Sequence, residues 1–372
     1  MRQVFLAEPY GDVRLLRAVL GPDLPPPGAP AVLPGHAIAA DQGGLRLAPV
    51  RMAGAVSPGQ VVDLDAGQRA RLEYWRVAIG AKPLVAGVEC GGARRVVDTF
   101  LGGAEPERSW TPEAWAGEWH AIVCEAAEEV MRHFDQREPE DMAERLLGIG
   151  FRAVARARGA ASATPLVLRS GLTVADVTPV RLDLPYTEYF CVEEHHLAHR
   201  RFDGAMSAPM LRAAFVSGDA VTVLPFDPRA GTVLLIEQFR AGPLARRDPR
   251  PWCLETIAGR CDPLETVEAT ARREAVEEAG LVLGRLEQVA AYYPSPGILG
   301  EHITGFVGEA DLSGAGGGWH GLDAEQEDIR SLVVPLPEAM AAVASGEINN
   351  APLLVSLLWL AANAARLRAD WG

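Results

Sequence analysis

The chain has 372 residues, 48% hydrophobic and 23% charged, with a net charge of −14. That length exceeds one ordinary hydrophobic core and allows two. The acidic balance excludes nucleic acid or an anionic membrane as the main partner, since both demand a basic footprint, but leaves room for a small phosphorylated ligand met by local positive charge or a metal.

Basic residues are nearly all arginine, with Lys82 the only lysine, which reflects genome composition more than chemistry. Cys90, Cys124, Cys191, Cys253 and Cys261 form no C-x-x-C pair and read as reduced thiols of a cytoplasmic protein. Cys253 and Cys261 are expected to be small buried hydrophobes. Glu8 and Asp12 interrupt the first apolar run, so no secretory signal is read there. The apolar segment 352–367 is too short to span a bilayer and is expected to be a buried helix.

In chain order, residues 3–6 predict a strand and the proline-rich 22–34 an irregular loop. Short apolar runs between 45 and 85 alternate with Gly and Pro, as in an α+β domain with several strands. Thr111 as N-cap and Glu113 in the first turn predict a helix over 112–134. Trp115 and Trp119 share one face of it and, with Trp110, read as packing. A second helix is predicted over 139–157. The small-residue stretch 158–165 reads as a linker between domains at 1–160 and 165–372. Beyond it come strands at 220–226 and 232–239, split by the turn cluster Asp227-Pro228-Arg229-Ala230-Gly231. A helix over 264–279 stops at Gly280. Strands near 286–293, 302–308 and 329–334 and two final helices complete the pattern. His195, His196 and His199 fall in a strand and are assigned to the surface or a dimer interface rather than to zinc.

The chemistry concentrates in Gly259-x5-Glu265-x7-Arg273-Glu274-x2-Glu277-Glu278-x-Gly280. Glu274, Glu277 and Glu278, at i, i+3 and i+4, share one helix face. Like charges so spaced destabilise a helix by a few tenths of a kcal/mol per pair, roughly. A hard divalent cation reverses that sign, because clustered carboxylate oxygens are what Mg²⁺ takes as ligands. Gly259 is expected to let the backbone turn sharply and bring a carbonyl near the ion, and Arg273 to orient a neighbouring glutamate. Seven such matches by accident have odds on the order of one in a million.

The segment resembles the Nudix box, with every invariant position present and Ala275 where a larger aliphatic is usual. The resemblance implies an α/β/α sandwich that hydrolyses a nucleoside diphosphate linked to another group. It implies metal ligation by Glu274, Glu278 and the Ala258 carbonyl, with Glu277 a further ligand or an activator of water. It also gives Gly259, Glu265 and Arg273 the task of shaping the loop and helix.

The flanks are similar to ADP-ribose pyrophosphatases. Pro296 lies 16 residues after Gly280 within Ser295-Pro296-Gly297, and Glu301 matches a ribose-side or metal-side carboxylate. Phe239-Arg240 matches a strand end presenting an arginine to substrate, and Phe239 and Tyr293 are candidates to stack on a base. Arg212 matches an arginine that reaches the ligand from the partner subunit, although Ala213 stands where Glu often follows. Residues 320–330 resemble a mobile acidic loop whose glutamate is the general base, placing that role on Glu325 with Glu327 next. The usual Gly and Thr after Ser-Pro-Gly are replaced here by Ile298 and Leu299.

The first half is similar in the order of its elements to the γ-glutamylcyclotransferase-like barrel, without that family's motifs. Its loop after the first strand reads Ala7-Glu8-Pro9-Tyr10, and its expected glutamate falls on Arg76, a side chain that stays protonated and is no general base. This half is therefore expected to be non-catalytic. The fusion also resembles bacterial Nudix proteins associated with tellurite resistance. Together these resemblances imply an Mg²⁺- or Mn²⁺-dependent, cytoplasmic, homodimeric ADP-ribose diphosphatase. The alternatives are a diphosphatase for another nucleoside diphosphate sugar and a non-catalytic ADP-ribose sensor.

Overall fold

The computed structural model describes residues 2–41, 43–102, 108–321 and 327–372. The first half is built on β1 (Arg2–Ala7), β2 (Ala29–Ala40), β3 (Ala48–Leu64), β4 (Lys82–Cys90) and β5 (Ala93–Leu101), with α1 (Val13–Leu20) and α2 (Ala66–Ala78) between them. Strand order β3-β1-β5-β4-β2, with β2 pairing back to β3, closes a five-stranded barrel. Only the β1–β5 contact is parallel among these pairings. Phe5 of β1, Leu33 of β2 and Leu64 of β3 are essentially unexposed and, with Leu47, belong to one buried apolar cluster. The proline-rich segment is less of a loop than its composition suggests. Pro30 and Pro34 lie within β2, with a register break between Pro34 and His36, the kind of site where a missing N–H is tolerated.

The short strand β6 (Arg108–Ser109) extends β2. The expected helix over 112–134 is divided into α3 (Pro112–Ala114), a π turn at Trp115–Trp119 and α4 (His120–Arg132). The break falls at Gly117, whose φ of −82° and ψ of −146° are not helical. Trp119 is buried beyond the break and its indole N–H donates to the Gly44 carbonyl at 2.6 Å. The tryptophans thus serve packing, as their spacing suggested. α5 (Pro139–Ala161) runs one turn beyond the predicted end and takes in Arg158 to Ala161, which had read as linker. Ala160 and Ala161 are strong helix formers, so one glycine at 159 does not end the helix.

A three-stranded meander follows, β7 (Val177–Thr187), β8 (Cys191–His199) and β9 (Met210–Val216). The remainder is an eight-stranded mixed sheet of β10 (Ala220–Asp227), β11 (Thr232–Phe239), β12 (Trp252–Glu255), β13 (Ile257–Arg260), β14 (Leu286–Tyr292), β15 (Ile303–Glu309), β16 (Trp319–His320) and β17 (Ile329–Pro335). A short α6 (Ala241–Ala245) follows β11. Val221, Val223, Leu234 and Ile236 point to α7 (Val267–Ala279), while Leu224, Phe226, Val233 and Leu235 point to α8 (Leu336–Ser345) and α9 (Ala351–Trp371). Period-two alternation with both faces apolar is what a sheet covered on both sides requires. Among the described residues, no helix is long and apolar enough to cross a membrane.

Candidate active site

β10 and β11 pair only at Phe226–Val233 and Asp227–Thr232, then diverge. β13 fills the gap along β10 and β12 the gap along β11. This wedge sets Ala258 and Gly259 of β13 under α7. Thr266 caps α7 by accepting the Ala269 N–H at 3.2 Å, and Gly280 closes it in the left-handed region at φ 62°. The helix begins three residues later than predicted because Leu264 is itself left-handed, at φ 68°. Its inward stripe is small, with Thr270, Ala271 and Ala275 buried. Ala275, where a larger aliphatic is usual, lets the helix lie close to the sheet.

That closeness carries Glu278 inward, to 3% exposure, where its carboxylate accepts the Ala258 N–H at 3.0 Å. Glu274 lies directly over Gly259: a β-carbon there would sit 1.7 Å from its Oε1. Gly259 is in a strand with no left-handed φ, so it is required for close approach and not for the sharp turn expected from its position. Arg273 organises the rest. Its guanidinium donates to Glu274 at 2.7 Å, to Glu277 at 2.8 Å, to the Glu265 carboxylate at 3.1 Å through two nitrogens, and to the Arg260 carbonyl at 3.1 Å.

Burial pushes the Glu274 carboxyl up to about 7, against the pull of Arg273, and pushes Glu278 up to about 8, against its bond from Ala258. Glu277 and Glu327 add repulsion at Glu274, and Glu274 and Glu327 add it at Glu278. Such groups fit a hard divalent cation, which lowers the cost of holding buried carboxylates ionised by binding their oxygens.

A pH dependence follows. Below the ordinary value of 4.5 both carboxyls are protonated folded or unfolded. Between that value and about 8 the unfolded chain releases protons the folded chain keeps. Stability of the metal-free protein therefore falls as pH rises through this window, by up to about 1.4 kcal/mol per pH unit for each retained proton. Melting in EDTA from pH 5 to 8, roughly the window between the ordinary and the raised carboxyl values, should show a steeper decline for the wild type than for Glu278→Gln. Equal slopes would rule out this contribution. Magnesium should restore more stability at the alkaline end, where it no longer competes with protons.

Comparison with known proteins places this geometry. The NUDIX domain model matches residues 216–355. The ADP-ribose pyrophosphatase of Escherichia coli K12 is 39% identical over 53% of this chain and 93% of its own length. That of Haemophilus influenzae is 36% identical over 50% of this chain and 86% of its own. A GDP-mannose pyrophosphatase of Citrobacter koseri is 34% identical over 40% of this chain and 76% of its own. The chain belongs to the Nudix family. It is a Nudix hydrolase, and the segment from Gly259 to Gly280 is its Nudix box.

Around the Nudix box the structure gathers several of the expected residues. Arg240, at the end of β11, donates to Glu255 at 2.8 Å and attracts Glu278 and Glu301. Phe239 is 45% exposed and meets Trp252 edge-on at 5.6 Å, and Tyr293 is 53% exposed and meets His302 at 4.9 Å. Neither is core. Ser295 accepts the backbone N–H groups of Ile298 and Leu299, forming the turn that carries Pro296 and Gly297. Glu301 lies within reach of Arg260, Asp219 and Ser217, and burial raises its carboxyl. Glu327 is half-buried close to Glu274 and Glu278, whereas Glu325 lies outside the described residues.

Arg212 is exposed on β9, where its guanidinium donates to the Leu211 carbonyl, and is not brought to the box by its own chain. His195 bonds to Glu193 at 2.8 Å and His196 to Asp183 at 3.1 Å. Groups of three potential metal donors, each with atoms within 4.8 Å, also lie away from the box, at Asp12–His120–Cys124 and Asp183–Glu194–His196. In the barrel, Arg76 donates to Glu73 at 2.8 Å. Tyr10 is buried between the Leu47 carbonyl and the Trp75 indole, so both are occupied structurally. Asp219 and Arg260 also lie beside Glu301, and Trp252 beside Phe239, with no motif in the sequence to mark them. Arg260 falls among the five unspecified residues between Gly259 and Glu265, and its partners, the rings of Phe151 and Tyr189 and the Glu301 carboxylate, are all distant along the chain.

Proposed function

We propose that the chain hydrolyses the pyrophosphate of ADP-ribose to AMP and ribose 5-phosphate with Mg²⁺ or Mn²⁺ as cofactor. The observation that carries the substrate is the 39% identity across 93% of an ADP-ribose pyrophosphatase. Glu274, Glu277, Glu278 and the Ala258 carbonyl are the proposed ligands. Metal held there would neutralise the equatorial oxygens of the diphosphate and lower the pKa of the attacking water. Glu325 is the proposed base, with Glu327 next, and Arg240 with Glu301 holds the substrate's polar groups. Phe239 offers a face to the adenine, and Ser295-Pro296-Gly297 lines the site. A homodimer would bring Arg212 of a second copy to the ligand.

We assign residues 1–160 to a non-catalytic γ-glutamylcyclotransferase-like barrel, 165–372 to the hydrolase, and the whole to the cytoplasm. The relatives named as GDP-mannose pyrophosphatases support a second reading, another nucleoside diphosphate sugar. Turnover of ADP-ribose, GDP-mannose and a UDP-sugar with Mg²⁺ separates them. ADP-ribose should lead in kcat/KM by a factor on the order of 10–100, which corresponds to a difference of about 1–3 kcal/mol in transition-state binding. Faster turnover of GDP-mannose would replace the substrate, and tight binding of ADP-ribose without cleavage would make the chain a sensor.

A further inference from the structure

Between the box glycine and the box glutamate, the chain leaves its own sheet and crosses the helices that flank the N-terminal barrel. Pro263 is buried against α5, where a β-carbon on Gly150 would stand 3.1 Å from its Cγ. Leu264 packs on the barrel core, where Gly44 has no room for a β-carbon because Leu264 Cδ1 would lie 2.8 Å away. Leu264 is left-handed, a conformation a β-carbon disfavours and packing must hold. One turn before α5 ends, Arg158 donates through Nη2 to the Glu265 carbonyl at 2.6 Å. The Glu265 carboxylate grips Arg273, and Arg273 grips Glu274 and Glu277. Two sets of hydrogen bonds, joined covalently through Glu265, thus link the last helix of the N-terminal half to the box carboxylates.

We propose that Arg158 is a positioning residue of the Nudix site, through which the N-terminal half sets the affinity of the box for its divalent ion. The inference rests on the reading of Glu274 and Glu278 as metal ligands. It gives the barrel a task that needs no catalytic chemistry of its own: it clamps the loop that fixes Arg273. Groups that orient metal ligands typically govern affinity about 10–100-fold, and Arg158 acts two steps beyond such a group, through Glu265 and Arg273.

The test is Mn²⁺ binding to the full chain, read by the electron paramagnetic resonance of free Mn²⁺ without substrate. Arg158→Met keeps the aliphatic stem and removes the donors. It should weaken Mn²⁺ by about 3–10-fold, while kcat at saturating metal stays within about twofold. Arg158→Gln, too short to reach Glu265, should behave alike and serves if the first variant does not fold. Arg145→Ala removes a contact between α5 and Glu188, 3.1 Å long, that lies off the route from Arg158 through Glu265 to Arg273, and should leave Mn²⁺ affinity unchanged. A folded Arg158 variant with wild-type affinity overturns the proposal, as does an equal loss in Arg145→Ala, which would signal general loosening. A wrong substrate assignment leaves this readout intact, whereas failure of the wild type to bind Mn²⁺ sinks the metal reading itself.

Discussion

Glu278→Gln is expected to lower kcat for ADP-ribose hydrolysis by a factor on the order of 10³, within the range seen when one preorganised electrostatic group is removed from a site, while leaving the fold intact. The amide is nearly isosteric and its oxygen still accepts the Ala258 N–H, now 3.0 Å from the carboxylate. What disappears is a charge held at 3% exposure. In the metal-free protein that charge is a burden, since burial and the neighbouring Glu274 and Glu327 hold the carboxyl up to about 8. The variant should therefore melt at the same temperature or higher at pH 8, roughly the wild-type titration midpoint. With metal the order reverses, because ligand binding stabilises only the chain that binds. Steady-state kinetics and melting with and without Mg²⁺ check both halves. A variant keeping more than about a tenth of wild-type kcat, a change worth only about 1.4 kcal/mol, would remove Glu278 from the ligand set.

Why that residue could be named before any fold was known, and others could not, is a matter of dimension. Glu274, Glu277 and Glu278 are neighbours through helical spacing, and a helix converts sequence distance directly into space. The strands of the sheet were legible for the same reason, their alternation being local. Barrel closure through β2 and β3 was not, since it depends on pairings such as Ala29 with Val61, set by length and register over many residues. Arg158 was read as linker because it precedes small residues, yet its partner Glu265 is 107 residues away. Nor does spacing disclose the cluster of Glu301 with Asp219 and Arg260, three separate segments that meet only in the folded chain.

Gly259 shows the limit most plainly, because its position was legible and its reason was not. The expected role was a sharp turn; the observed role is the absence of a side chain. Gly259→Ala should leave the backbone undisturbed, since the residue sits in β13 opposite Val221 with no left-handed φ. The new methyl would lie 1.7 Å from Glu274 Oε1 and 2.0 Å from its Cδ, far inside contact distance. The clash is with the end of a flexible side chain, so Glu274 swings away and the protein folds, but a carboxylate proposed to hold the metal leaves its place. Activity should fall by a factor on the order of 10², as it does when a group is displaced by about 1 Å from its working geometry. The double variant Gly259→Ala with Glu274→Ala decides whether the effect runs through that one carboxylate. Residues in contact are non-additive, so the pair should be no worse than Glu274→Ala alone. Losses that multiply would mean the methyl acts elsewhere, on the Arg273 network or on β13 itself.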